Sequence, residues 1–275
     1  MSHPLLDNER IADRPRPFLE SIGEVFAIFG PPTQDSGNIS YGVRVEDQRF
    51  FIKTTDPDIE AYCDSATRIE LLYNAAVLNG NCDHPTLPTL HRIVESAQGP
   101  MLVYDWVDGE LLRRKQDRTH SAHERFRQLP VDQILTVLDT IYELHDQLVS
   151  EGWIAVDFYD GCAIYNFDDQ VVHIVDLDLY HRGPFTNRMG RLFGSTRFMA
   201  PEEFALGATI DERSTLFTMG RTAAIFLSDT SLQRPPFRGG DALYDVIVRA
   251  CREDPHERYP SMNEFHTAWQ EARNH

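Results

Sequence analysis

The chain has 275 residues, 41% of them hydrophobic, which is enough for one large domain or two smaller lobes with their own cores. Its formal charge is -17, which excludes a general nucleic-acid binder or an anionic-membrane binder, both of which need a basic surface. Four widely spaced cysteines form no CxxC pair and indicate neither a zinc site nor a disulfide framework. The first residues carry acids and prolines and no apolar core, so no signal peptide is expected. No apolar run approaches the roughly 20 residues of a membrane span. A soluble cytoplasmic protein with no membrane partner is the expectation.

Taken in chain order, residues 1–20 read as a polar N-terminal extension. Strands are predicted over 24–29, 39–45 and 49–53, the last two joined by a tight turn at 46–48. A helix follows over about 58–79, with Ile69, Leu72, Tyr73 and Ala76 on one face. His84-Pro85 breaks the chain before strands at about 90–95 and 100–106. Beyond Asp108 the pattern is mostly helical, strongest over 131–150, where Ile134, Leu135, Leu138, Ile141, Leu144 and Leu148 recur at helical spacing. A short hairpin over 163–175 and helices near 201–206, 213–228, 240–252 and 261–272 complete the reading. The expected class is α+β, with a small β-rich lobe over 21–104 and a large helical lobe over 105–275.

Lysine occurs only twice, at Lys53 and Lys115. Lys53 lies inside the apolar strand Phe50-Phe51-Ile52-Lys53, where a compact ammonium suits a phosphate. Further on, Gly194-Ser195-Thr196-Arg197-Phe198-Met199-Ala200-Pro201-Glu202 and Asp254-Pro255-His256-Glu257-Arg258 are two distant segments of the same kind as motifs that share one contact in a known family. With these residues and this order of elements, the chain resembles the eukaryotic-type protein kinases from about residue 23 to 272.

The resemblance implies a two-lobed kinase fold, ATP and Mg²⁺ (or Mn²⁺) as cofactors, and a protein substrate phosphorylated on serine or threonine. It implies that Glu202 forms a buried ion pair with Arg258. Lys53 matches the lysine that contacts the α- and β-phosphates, with Glu70 as its helix partner and Asp64 as the fallback. The loop from Gly30 to Gly42 takes the place of the phosphate cover, with Gly37 and Gly42 as flexible points, although GxGxxG is absent. The stretch 101–110 resembles the hinge, in which Asp105 and Val107 give main-chain contacts to adenine, Tyr104 backs the pocket and Glu110 reaches the ribose. Asp157 matches the aspartate that accepts the proton of the attacking hydroxyl. Asp176 matches the metal-holding aspartate, and Asp178 stands where that motif has glycine.

Several supports of the family pattern are replaced. The His-Arg pair before the catalytic aspartate is Ala155-Val156, the lysine two residues after it is Tyr159, and the metal-binding asparagine is Cys162. Asp178 would compensate for that asparagine, since a thiol is a poor Mg²⁺ ligand. Thr215 aligns with the aspartate that anchors the loop in the family, so the histidine and its anchor have changed together. In the family, the arginine now replaced by Val156 holds a phosphorylated activation loop, so no such phosphorylation is expected here. Arg113, Arg114, Lys115, Arg118, Arg125 and Arg127 form the one basic patch, read as a solvated face or a dock for an acidic partner. The expected function is an ATP-dependent protein kinase. The alternatives are a pseudokinase acting as a switch or scaffold, and a small-molecule kinase of the aminoglycoside or choline kinase type, which lacks the Ala-Pro-Glu segment.

Overall fold

The computed structural model describes residues 3–31, 37–59, 63–114 and 121–274. They are α+β, in two compact units that divide after Val107.

The first unit is built on a five-stranded antiparallel sheet in the order β1-β2-β3-β5-β4. These strands are Glu24–Phe29 (β1), Asn38–Val45 (β2), Gln48–Thr55 (β3), Leu90–Ser96 (β4) and Gly99–Asp105 (β5). Alternation along β3 sends Phe50 and Ile52 to one face and Phe51 and Lys53 to the other. The first face packs Phe50 and Ile52 with Tyr41, Val43, Val103 and, unexpectedly, Leu5 and Leu19. Residues 3–22 are therefore not an extension set apart from the sheet. Leu5 and Leu19 are fully buried, the latter on helix α1 (Pro15–Ile22), and Arg10 bridges to Glu95 on β4. The apolar residues that do this are too irregularly spaced to signal packing in the sequence.

The second face is covered by helix α2 (Ser65–Asn81), whose Leu72, Ala75 and Ala76 meet Leu102 and Tyr104. This helix starts later than 58 because Asp64 caps it, its carboxylate accepting from the Thr67 amide at 2.9 Å. Strand β3 also runs two residues past Lys53. This places the lysine inside the central strand, opposite Ser40 on β2 and Leu102 on β5.

In the second unit, helices α4 (Val131–Ser150), α5 (Glu212–Leu227), α6 (Asp241–Ala250) and α7 (Met262–Arg273) surround one apolar interior. The expected stripe of α4 is buried throughout, and its Tyr142 meets Phe265 and Trp269 of α7 edge to face. The short helix α3 (Ala122–Arg127) adds Phe126 against Phe226 of α5. Three strands, Glu110–Leu111 (β6), Ala163–Asn166 (β8) and Val171–Ile174 (β9), form a small sheet. The pairs Trp153–Ile154 (β7) with His181–Arg182 (β10), and Phe185–Thr186 (β11) with Thr209–Ile210 (β12), frame the loops between them. The segment 201–206, expected as a helix, is a single 3₁₀ turn over Pro201–Phe204. Among the described residues no helix is long and apolar enough to cross a membrane.

Candidate functional site

In the first unit, Lys53 is only 7% exposed although it carries an ammonium. Two carboxylates were expected to serve it. Glu70 lies on the exposed side of α2, and Asp64 is spent on the cap, where hydrogen bonds from Thr67 hold its carboxyl below its usual range. The polar residue that α2 buries is Arg68, 3% exposed, which donates to the carbonyls of Gly37 and of Asp56, the latter at 3.0 Å. A cation thus occupies the sheet-facing turn where a carboxylate was expected. The reason is helical phase, since Arg68 shares its face with Leu72 and Glu70 sits almost opposite.

Gly37 has φ 76°, a left-handed turn that suits glycine, and its carbonyl is the one Arg68 binds. Residues 32–36 of the expected phosphate cover lie outside the described residues. Gly42 is not a flexible point. It is an interior residue of β2, opposite Phe51 and Ala27, and a Cβ there would come within 2.7 Å of the Phe26 ring and 2.8 Å of the Trp106 ring. Glycine at 42 lets four rings gather. Phe26 meets Trp106 at 4.8 Å between centroids, and Phe29 and Phe51 lie within 6.5 Å of the same indole. This aromatic cluster lies on the face that carries Lys53, two residues along from Phe51 on the same side of β3.

The expected hinge residues are largely engaged. The Asp105 amide donates to the Thr89 carbonyl at 3.0 Å, and its carboxylate meets His91 Nε2 at 2.6 Å. Tyr104 packs into the α2 face of the sheet, and Val107 is half-buried at the end of the unit. In the second unit, Glu110 pairs with Arg125 at 2.5 Å and Arg125 stacks on Phe167. Of the basic patch, Lys115 and Arg118 fall outside the described residues.

The second unit brings the other candidate residues together. The loop after β7 is tied at Ala155, whose amide donates to the Thr215 hydroxyl at 3.0 Å, both residues being buried. Thr215 therefore holds the loop backbone directly, with no histidine between. Asp157 and Asp176 both sit in the left-handed region, at φ 61° and 64°. Cys162, at the end of a 3₁₀ turn over Asp160–Cys162, connects them. Its thiol donates to the Asp157 carbonyl at 3.5 Å and lies 4.0 Å from that of Asp176. Burial pushes the Cys162 thiol well up, and the charges of Asp176 and Asp157 push it further, so it is neutral near pH 7. Burial likewise raises the Tyr159 phenol, with Cys162 and Asp176 as further causes. Beside Asp157 runs Gly194, at φ 142°, whose missing Cβ would lie 3.6 Å from the Asp157 carboxylate.

Cys162 does not fit a metal, being a protonated thiol already committed to a backbone carbonyl. Asp176 does fit, as a solvent-exposed carboxylate at a strand end, and Mg²⁺ sites often use one or two such groups. Asp178 differs, being 8% exposed in a turn closed by the Tyr180 amide on the Leu177 carbonyl. Among the described residues no group of three or more His, Cys, Asp or Glu is arranged to hold a metal on its own.

Glu202 and Arg258 meet. Arg258 donates to both carboxylate oxygens, at 2.6 and 2.9 Å, while Ser214 Oγ donates to Glu202 Oε1 at 2.8 Å. Sequence reasoning missed several partners of this region. Asn187, fully buried, binds Gly190 and Glu203 and accepts from the Met189 and Gly190 amides. It thereby staples the segment before Ala-Pro-Glu to that motif. His145 on α4 donates from Nδ1 to the Ile141 carbonyl at 2.7 Å, so its Nε2 accepts from the Tyr180 hydroxyl, also at 2.7 Å. An Asn or His in a polar stretch gives no periodic signal by which to find it.

The chain matches no protein-family model, and no curated protein matches it.

Proposed function

We propose that the chain has a protein-kinase-like fold and works as an ATP-dependent phosphotransferase of the protein Ser/Thr kinase type. The observation that carries this reading is the left-handed backbone at Asp157 and Asp176. Among the described residues three other non-glycine residues have positive φ: Glu46 and Gln170 in hairpin turns, where such angles are ordinary, and Thr230 in the loop after α5. Asp157 and Asp176 lie in no hairpin, and they are the two carboxylates the resemblance assigns to chemistry. Strain of this kind is kept where surrounding structure enforces it, and it gathers at functional sites. Asp157 would orient the attacking hydroxyl and accept its proton, and Lys53 would bind nucleotide phosphate. Asp176 would hold Mg²⁺, which when bound supplies charge neutralisation on the phosphates. Met189, Phe193, Phe204 and Leu206 are exposed near Glu202, and such apolar surface favours a protein substrate over a small molecule. The cytoplasm, where ATP is abundant, is the proposed compartment.

The aromatic cluster of Phe26, Phe29, Phe51 and Trp106 favours a second reading, a pseudokinase that acts as a switch or scaffold. A planar base would compete with these rings for the face that carries Lys53.

Thermal unfolding with ATP, with and without Mg²⁺, separates the two. A ligand of the folded state raises its stability by mass action. The first reading expects a metal-dependent shift that Asp176→Ala abolishes, followed by phosphate transfer to a protein substrate. Absence of any shift at millimolar ATP would make the second reading the leading one.

A further inference from the structure

Asp160 has a carboxylate with no exposure to solvent, three residues after Asp157 in the same loop. A buried carboxylate is tolerated only when fully compensated. Two side chains do this. Arg197 Nη2 donates to both oxygens, at 2.9 and 2.8 Å, and His123 Nδ1 lies 3.2 Å from Oδ2. That His123 nitrogen also faces the Leu112 carbonyl at 3.1 Å, and both of its partners only accept, so Nδ1 carries the hydrogen.

Arg197 belongs to the segment that leads into Ala200-Pro201-Glu202, and it is fixed at its other end as well. Its carbonyl accepts from Arg221 Nε at 2.8 Å, and its guanidinium stacks on Phe198. The contact therefore joins two firmly held pieces of chain, the loop of Asp157 and the segment that runs beside it at Gly194. Val156, next to Asp157, is apolar and buried, so no cation on the loop could receive a phosphate from the segment. The polarity is reversed, with the anion on the loop and the cation on the segment.

We propose that Asp160 and Arg197 are positioning residues forming a permanent clamp, which holds the Asp157 loop in its working position with no phosphate on the segment. The part of this concerning Asp157's work rests on the phosphotransferase reading. The clamp itself does not.

The test uses the full chain, shown by mass to carry no phosphate, as wild type, Arg197→Gln, Arg197→Lys and Asp160→Asn. Backbone hydrogen exchange is followed over 155–162 and 187–200, with α4 and α7 as internal references. Wild type should protect both segments without phosphate. Arg197→Gln should speed exchange in both together by roughly tenfold or more, because a charge-assisted pair is lost, while the reference helices hold. Arg197→Lys keeps the charge on a differently shaped head group, without the planar Nη2 that reaches both Asp160 oxygens, and should fall between, which guards against a glutamine variant that does not fold. In phosphate transfer, Arg197→Gln should lower kcat by roughly ten- to a hundredfold with the KM for ATP little changed, as for a misplaced catalytic group. Unchanged exchange in the Asp157 loop of Arg197→Gln, or protection in wild type only after phosphorylation, would overturn the clamp. If the exchange pattern holds but wild type transfers no phosphate, the clamp stands and the phosphotransferase reading fails.

Discussion

Arg258 closes on Glu202 across 56 residues of sequence, with their side chains 0% and 8% exposed. The arginine spends its remaining donors on the carbonyls of Arg213, Arg252 and Glu253 and lies over the Phe217 ring at 5.0 Å. Every hydrogen it can donate is used on the chain that surrounds it. The pair joins the turn after the Asp157-facing segment to the loop before α7, so it fixes the far end of the segment whose near end Arg197 holds.

Removing one partner leaves the other charge buried. Arg258→Met should therefore cost about 3–5 kcal/mol, read as a lowered urea midpoint with unchanged slope. The double variant with Glu202→Met should be less destabilised than the sum of the two single changes. A purely additive result would mean that the two side chains contribute independently.

The neighbouring Glu203 makes a pH prediction. Burial raises its carboxyl from near 4.5 to about 8, the Ala200 amide opposes this, and the Glu202 and Asp157 charges add to it. Its raised value means the folded state holds a proton that the unfolded chain has already released between about pH 4.5 and 8. Its contribution is thus full below the unfolded value and is lost as pH rises through about 8. Wild type should lose on the order of a few kcal/mol over that window, and Glu203→Gln, which cannot ionise, should remove most of the slope. Parallel stability curves for the two proteins would show that Glu203 ionises normally.

The aromatic cluster allows a local test. Gly42→Ala places a methyl against the Phe26 and Trp106 rings, where its Cβ would sit at 2.7 and 2.8 Å. It should cost about 1–3 kcal/mol by overpacking and shift the Trp106 emission. Phe51→Ala does the opposite and opens the face that carries Lys53. A larger ATP-dependent thermal shift in Phe51→Ala than in wild type would show that the rings compete with the nucleotide. An equal or smaller shift would show that they do not.

Much of this architecture was legible because its signals are periodic. Alternation located β3 and Lys53 within it, and the apolar stripe of 131–150 matched α4 nearly residue for residue. Residues that act through single polar contacts were not legible. Asp160 needs His123 and Arg197, both distant in sequence and each able to read as an ordinary surface group. Glu202 and Arg258 were paired only through their motifs, since neither composition nor spacing connects them. Arg68 and Glu70 differ by two positions, and only the phase of α2, set by Leu72 and Ala75, decides which is buried. Leu5 and Leu19 were unreadable for the same reason, because an isolated leucine carries no period.

Cys162 supplies the last prediction. Its thiol is 1% exposed, neutral, and bonded to the Asp157 carbonyl, whereas Cys63 is partly exposed. Thiolate is the reactive form, and burial denies it to Cys162 and to Cys251, whose thiol is pushed up to about 12. At pH 8 an aromatic disulfide reagent should therefore modify Cys63 rapidly and all four cysteines only in denaturant. Rapid labelling of Cys162, located by peptide mapping, would contradict its placement between the two aspartates. Cys162→Asn then asks what the thiol withholds. An amide oxygen is a hard ligand of the kind Mg²⁺ accepts, and asparagine also keeps a donor for the Asp157 carbonyl. This variant should show a larger Mg²⁺-dependent stabilisation by ATP than wild type, with the metal-free shift unchanged. If the substitution leaves the metal dependence as it was, position 162 lies outside the metal's reach and its thiol serves only the loop.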